Sequence, residues 1–488
     1  KKQHLLADNF DDADSCLKCH ETMGPMAGSL HDLRTSAPEA VNRFGQTAAQ
    51  SGYCGSCHGA HRSARTPTPT ELDVVGHCTT CHQQGQGAEQ STHEPFNHPI
   101  ALGNKDDDVP TDLPLAINAA GDRSMVCLTC HDPHSISHGR FLRDEPDRLC
   151  AQCHQEKLDL LSGPHDLTSL TSWVNTRGMD AEQTGRCGSC HGVHGEAGPS
   201  MWIASQMRNG ESLDHWCIGC HTPGGEAALA SIRTLHHPSG PATMNAAVSP
   251  TSLPLFDING NHQAKGMIAC ATCHDPHRNP SASPALLRST HRSGQHALCL
   301  DCHTDTESIL ASMHAPRFLA KHFEEVDNCL PCHSVHAPEG ISVEGMWAAP
   351  PGHDNEPTDV QQCRGCHSER MVNPAPALRD HIAVMLRQPD AHIEEHQMPL
   401  FNMDGNQDTT GRIACRTCHL PHGRSMPSQQ VRSPQDDTHA SNMMLRPYHA
   451  PNLCSTCHGF EGLLRYLTYH DLEQTFEPAS ELETDAKR

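Results

Sequence analysis

The side chains best suited to chemistry are 26 cysteines and 41 histidines in a chain of 488 residues. Every cysteine falls in one pattern, Cys-x-x-Cys-His. The 13 motifs are Cys16–Cys19–His20, Cys54–Cys57–His58, Cys78–Cys81–His82, Cys127–Cys130–His131, Cys150–Cys153–His154, Cys187–Cys190–His191, Cys217–Cys220–His221, Cys270–Cys273–His274, Cys299–Cys302–His303, Cys329–Cys332–His333, Cys363–Cys366–His367, Cys415–Cys418–His419 and Cys454–Cys457–His458. This is the spacing of c-type haem attachment. Two thiols separated by two residues reach the two vinyl groups on one porphyrin edge, and the adjacent histidine stands beneath the ring to bind iron. Zinc needs two such halves per ion and no histidine after each. A redox dithiol would occur once, and structural disulfides would fix neither the spacing nor the histidine. The pattern predicts 13 covalently bound haems c.

Removing the 13 motif histidines leaves 28 others. If each iron takes a second histidine, the ligands should recur at equivalent places. The six even-numbered motifs extend to Cys-x-x-Cys-His-x-x-His, giving His61, His134, His194, His277, His336 and His422. A second series follows motifs 1, 5, 9 and 13: His31, His165, His314 and His470. A third precedes a Leu-Pro-Leu or Met-Pro-Leu segment: His98, His237 and His381, with His236, His392 and His396 as competitors. The three series together supply one distal histidine per haem. Methionine is the rival ligand, but none of the 17 recurs at a fixed offset in every repeat. Histidines three residues apart on a helical turn point the same way. They cannot clamp one iron, so the second must reach a different haem.

These residues need elements to position them. Successive motifs start 38, 24, 49, 23, 37, 30, 53, 29, 30, 34, 52 and 39 residues apart, with the long step at every fourth motif. The sequences CLTCHDPH, CATCHDPH and CRTCHLPH recur at Cys127, Cys270 and Cys415. DLPLAINAAGD, SLPLFDINGN and MPLFNMDGN stand upstream of them, and CGSCHGAH, CGSCHGVH and CLPCHSVH recur at Cys54, Cys187 and Cys329. A period this long marks an array of like units. The predicted organisation is three four-haem repeats, residues 1–145, 146–294 and 295–449, then a terminal haem segment and polar tail at 450–488. The predicted fold is mostly irregular, with short α-helices and few short strands, elongated and packed around haem. HQEKLDLLSG and HTDTESILASMH carry helical spacing, and the Asp-Gly of PLFNMDGN predicts a small hairpin. Linkers are expected at 66–70, 238–254 and 338–357, and the polar tail 471–488 is expected to be loosely held.

Composition agrees. Apolar residues are 36% of the chain and aromatics 4%, too few large side chains to fill an ordinary core. A net charge of −23 disfavours nucleic acid, which needs a basic face. No apolar run is long enough for a membrane-spanning helix. Haem attachment takes place outside the cytoplasm. The polar opening KKQHLLADNF therefore predicts an exported chain whose signal peptide has been removed. NMDGNQD at 402–408 lacks the glutamate that completes a calcium loop.

The motifs resemble those of multihaem c-type cytochromes of the doubled-CXXCH kind, among them extracellular electron-transfer cytochromes that form filaments or outer-membrane conduits. The resemblance covers almost the whole chain. It implies long-range electron transfer with no catalytic residue, since bis-histidine iron has no open position and sits at low potential. Multihaem reductases are the alternative; some use Cys-x-x-Cys-Lys, which is absent here. Self-association into an extracellular filament is the favoured architecture. Threading through an outer-membrane porin partner, or a soluble periplasmic carrier, stand as alternatives. Redox proteins or extracellular acceptors would be its partners. His4, outside every series, is a candidate ligand for a neighbouring copy or a surface histidine.

Overall fold

The computed structural model describes residues 14–42, 44–58, 71–83, 98, 112–117, 121–170, 173–175, 177–195, 201–203, 214–218, 220–221, 237, 252–279, 281, 284–288, 297–312, 314–315, 319, 329–336, 346–348, 357–367, 398–423 and 444–446. His4, His61, His381, His470, the motif Cys454–Cys457–His458, the linker 66–70 and the tail 471–488 lie outside the described residues, as do most of 238–254 and 338–357.

The chain forms two compact units. One comprises Lys1–Trp216, Ile258–Asn261 and His274–Leu287; the other comprises Cys217–Asp257, His262–Cys273 and Arg288–Arg488. Among the described residues, regular structure is brief, and no helix is long and apolar enough to cross a membrane.

The commonest element is a single helical turn on the motif itself, as at Cys127–Cys130, Cys270–Cys273 and Cys415–Cys418. The motif histidine's N–H closes that turn on the first cysteine's carbonyl, at 3.0 Å in His131, 2.9 Å in His419 and 2.8 Å in His58. One turn is all the chemistry asks for, because positions i and i+3 then share a face and both thiols point the same way.

Upstream of motifs 4, 8 and 12 lie three small antiparallel devices. Strand β1 (Ala116–Ile117) pairs with β2 (Arg123–Ser124), Ala116 opposite Ser124. Strand β3 (Leu255–Phe256) pairs with β4 (His262–Gln263), Leu255 opposite Gln263. Phe401 bridges Gln407 and Arg412 around the expected Asp404–Gly405 turn, where Gly405 has φ 80°. The left-handed backbone there is one glycine adopts freely.

The two expected helices form as 3-10 helices, Gln155–Ser162 and Thr304–Ala311. Lys157 N–H reaches back to the His154 carbonyl at 3.0 Å, and Thr306 N–H to that of His303 at 3.2 Å. Bonds spanning three residues tighten the turn from its start, immediately after the motif.

Packing is divided into small clusters. In the first unit Met26 packs with Tyr53, and Val74 packs with Ala116 and Val126. In the second, Val360, Phe401 and Ala414 form a like group in matching places: before a motif, in the Pro-Leu segment, and beside the next motif. The threonine of Cys-x-Thr-Cys-His fastens these clusters. Thr129 Oγ1 donates to the Pro114 carbonyl (2.7 Å) and accepts from Val126 N–H (2.9 Å); Thr417 repeats this with Pro399 (2.8 Å) and Ala414 (3.0 Å). Both threonines are buried. Thr417→Val keeps the shape and strands both partners. It is expected to cost about 1–3 kcal/mol in denaturant unfolding, whereas replacing the exposed Thr410 should cost far less.

Candidate haem sites

Past the turn, motifs 4, 6, 8, 10 and 12 are held in the same way. His131 bridges Leu142, His191 bridges Trp202, His274 bridges Leu287, His333 bridges Trp347 and His419 bridges Leu445. The residue before each bridge partner has positive φ: Phe141 58°, Met201 47°, Leu286 56°, Met346 46° and Met444 52°. Its carbonyl accepts the N–H of the residue after the motif histidine, at 2.7 Å for Asp132, 2.7 Å for Gly192, 2.8 Å for Asp275, 2.6 Å for Ser334 and 2.6 Å for Leu420. In motifs 4, 8 and 12 an arginine completes the clasp. Arg143, Arg288 and Arg446 donate through Nε to the carbonyls of Leu128, Ala271 and Arg416, at 2.6, 2.7 and 2.7 Å. In motifs 6 and 10 a tryptophan takes the bridging place. Trp202 lies 4.9 Å from the His191 ring, and Trp347 stacks on His333 at 5.4 Å.

Among the described residues, the two histidines of Cys-x-x-Cys-His-x-x-His do not share a helical turn, contrary to the expectation from their spacing. The helix ends at the second cysteine and His131 is extended, φ −109° and ψ 141°. The clasp draws the motif histidine out of the helix, and the second histidine follows a separate turn. Their rings still serve different partners.

Motif histidines meet histidines from the three series. The ring centroids are 6.1 Å apart for His31 and His82, 5.8 Å for His58 and His134, 6.0 Å for His98 and His154, 6.2 Å for His131 and His194, and 6.1 Å for His191 and His277. They are 6.1 Å apart for His237 and His303, 6.1 Å for His314 and His367, and 5.9 Å for His333 and His422. Two imidazoles on opposite faces of one iron would stand about 6 Å apart, from two metal–nitrogen bonds of about 2 Å and about 1 Å from nitrogen to centroid on each side. The pairs fit that group. Among the described residues no three His, Cys, Asp or Glu converge as a metal site. An iron between two imidazoles needs four more ligands, which a porphyrin supplies. His165 and His336 are half-buried.

The other ring nitrogen is engaged in several of these histidines. Nδ1 faces the carbonyl of Arg140 in His131 (3.0 Å), of Ala285 in His274 (2.7 Å) and of Pro421 in His314 (3.1 Å); in His277 it faces Asp275 Oδ1 (3.1 Å). An occupied Nδ1 leaves Nε2 as the metal-binding atom and fixes the tautomer. Burial holds the imidazoles of His31, His58, His131, His367 and His422 below the ordinary histidine range, so they are neutral and keep that lone pair. Phe141 stacks on His31 at 4.3 Å.

Burial also pushes the thiols of Cys130, Cys273, Cys302 and Cys332 up to about 11, against the thiolate that zinc would require. First cysteines of consecutive motifs lie within hydrogen-bonding reach of one another: Cys16 and Cys54, Cys78 and Cys127, Cys150 and Cys187, Cys363 and Cys415. Porphyrin edges anchored there would be close neighbours.

The spacing of the cysteine motifs does not reveal the clasp residues. A signal for them exists, in Phe-Leu-Arg at 141–143, Leu-Leu-Arg at 286–288, Met-Leu-Arg at 444–446, and Met-Trp at 201–202 and 346–347. Ala285 has φ 54° and offers its carbonyl to His274. Ala285→Gly keeps that acceptor and should hold stability within about 1 kcal/mol. Ala285→Val, β-branched at positive φ, should cost about 1–3 kcal/mol in the same unfolding measurement.

Residues 118–159 and 262–308 match the family described as "Doubled CXXCH motif". The protein named multiheme cytochrome MtrA, from Shewanella baltica (strain OS185), is 22% identical over 246 residues, which is 48% of this chain and 56% of that protein. The chain thus spans little more than half the length of the relative it matches. No solved structure matches. The matched segments hold motifs 4, 5, 8 and 9, with the clasps of motifs 4 and 8. The repeated cysteine motif, the histidine pairs at metal-bridging distance and these matches support a multihaem c-type cytochrome, with haem c as the cofactor that its motifs would hold.

Proposed function

We propose that this chain moves electrons over long range through 13 haems c, each held by two histidines. The observation that carries the reading is the recurrence of one ring separation, 5.8 to 6.2 Å, in eight histidine pairs that each join different stretches of chain. In this reading His82, His58, His154, His131, His191, His303, His367 and His333 bind iron from the proximal side. His31, His134, His98, His194, His277, His237, His314 and His422 bind it from the other. The same distal role is proposed for His61, His165, His336, His381 and His470, and the proximal role for His20, His221, His274, His419 and His458.

The haem iron, alternating between ferric and ferrous states, supplies one-electron chemistry when bound. The chain's own residues anchor and orient it. Cysteine pairs fix each porphyrin edge, and carbonyls and carboxylates at Nδ1 set the imidazoles. Occupied axial positions withhold the iron from substrates, which favours transfer over catalysis. Contacts between first cysteines of motifs 1 and 2, 3 and 4, 5 and 6, and 11 and 12 support close spacing of consecutive haems. The clasps at motifs 4, 8 and 12, with their upstream hairpins, support the proposed division into three four-haem repeats. Export and end-to-end assembly into an extracellular filament complete the proposal, the repetition being what supports it.

Pyridine haemochrome absorbance against protein mass is expected to give 13 haems, and a lower number would remove the assignment for the missing motifs. The reduced native protein should not bind carbon monoxide. His31→Ala should create about one CO-binding haem per chain; CO binding by the unaltered protein would contradict full bis-histidine ligation. Electron microscopy of the haem-loaded protein should show filaments of fixed subunit repeat. Discrete particles, with or without a copurifying porin, would overturn the filament and leave electron transfer standing.

A further inference from the structure

The ring pairs divide by the angle between their planes. On even-numbered motifs the angles are 14° for His58 with His134, 16° for His191 with His277, 32° for His333 with His422 and 40° for His131 with His194. On odd-numbered motifs they are 54° for His98 with His154, 57° for His237 with His303, 64° for His314 with His367 and 75° for His31 with His82.

A finer division within the first group follows a single residue. His134 and His277 belong to Cys-His-Asp-Pro-His, with an aspartate two residues before the second histidine. Asp275 Oδ1 accepts from the backbone N–H of His277 at 3.2 Å and stands 3.1 Å from its Nδ1. Asp132 Oδ1 accepts from the backbone N–H of His134 at 3.0 Å and stands 3.4 Å from its Nδ1. The place of that aspartate is taken by Gly192 before His194 and by Leu420 before His422. In the two pairs with the smallest angles, the second histidine has a carboxylate near Nδ1. Both aspartates are themselves fixed by the clasp. Asp132 donates its N–H to Phe141 and faces Arg143 at 3.6 Å, and Asp275 donates its N–H to Leu286.

An imidazole held only by its metal bond can swing about that bond. One whose far nitrogen also meets a fixed carboxylate cannot, and the carboxylate makes it a stronger donor. In low-spin ferric haem, parallel imidazole planes split the two iron d orbitals of π symmetry and give a rhombic electron paramagnetic resonance spectrum. Crossed planes leave those orbitals nearly degenerate and give a highly anisotropic spectrum.

We propose that Asp132 and Asp275 are positioning residues that lock the rings of His134 and His277, so that the haems of motifs 2 and 6 form an electronic class distinct from the crossed-ring haems of motifs 3, 5, 9 and 11. The inference rests on the bis-histidine reading above. The stronger donation also places these two haems at more negative potential than they would have without the carboxylates.

The test is low-temperature electron paramagnetic resonance of the oxidised, haem-loaded full-length protein, with near-infrared magnetic circular dichroism as the control for ligand type. Both spectral classes are expected in the native protein. Asp132→Ala and Asp275→Ala should each move about one haem's intensity out of the rhombic class, with haem count and the bis-histidine dichroism band unchanged. Asp275→Asn, which keeps an oxygen acceptor, should retain most of the rhombic signal. A native spectrum of one class, or alanine variants with an unaltered spectrum, would overturn the inference while leaving bis-histidine ligation intact. Loss of the bis-histidine band in the native protein would instead overturn the reading on which it rests.

Discussion

In the proposed reading, an iron that needs two imidazoles from opposite sides is the constraint on which this protein depends. No local segment can meet it, because the motif histidine and its neighbour three residues on face different partners. The second ring comes from afar, 51 residues away for His31 and His82 and 89 for His333 and His422. Closing one loop of that length costs about 3–4 kcal/mol beyond a constant. Proposed iron ligation and two thioether bonds per haem would offset that entropy. Clusters as small as Met26 with Tyr53 could not do so by themselves.

Regular structure is correspondingly local. A single helical turn aims two thiols, and a hairpin of two-residue strands brings a Pro-Leu segment against the motif threonine. The clasp then pulls the motif histidine into extended backbone and presents a carbonyl to its Nδ1, as Arg140 does for His131 and Ala285 for His274. Strained positive-φ residues such as Phe141 and Leu286 persist because hydrogen bonds on both sides hold them. Backbone geometry, ring orientation and the proposed electronic character of the haems are thereby linked through the same few residues.

Much of the site is legible in the sequence because covalent chemistry demands invariant spacing within the chain. Cys-x-x-Cys-His is such a spacing. The three histidine series follow from internal repetition, and His31, His98, His237 and His314 do meet motif histidines. The Asp404–Gly405 turn is legible for a backbone reason, since glycine tolerates positive φ. Less is legible where the backbone acts through its own atoms. Phe141, Leu286 and Met444 share a conformation and a carbonyl role but little side-chain chemistry. The helical turn expected to carry both His131 and His134 does not form, although their rings do meet different partners. Ring-plane angles depend on what meets Nδ1, and spacing alone does not encode that.

The central claim is that one iron lies between the two rings of each pair. It is tested most directly by anomalous diffraction at the iron edge from crystals of the haem-loaded protein. The account predicts an iron midway between His31 and His82, between His58 and His134, and between the other paired rings, each coordinated by both imidazoles. Irons bound on one side only, or joined to a methionine or water where a paired histidine is expected, would contradict it.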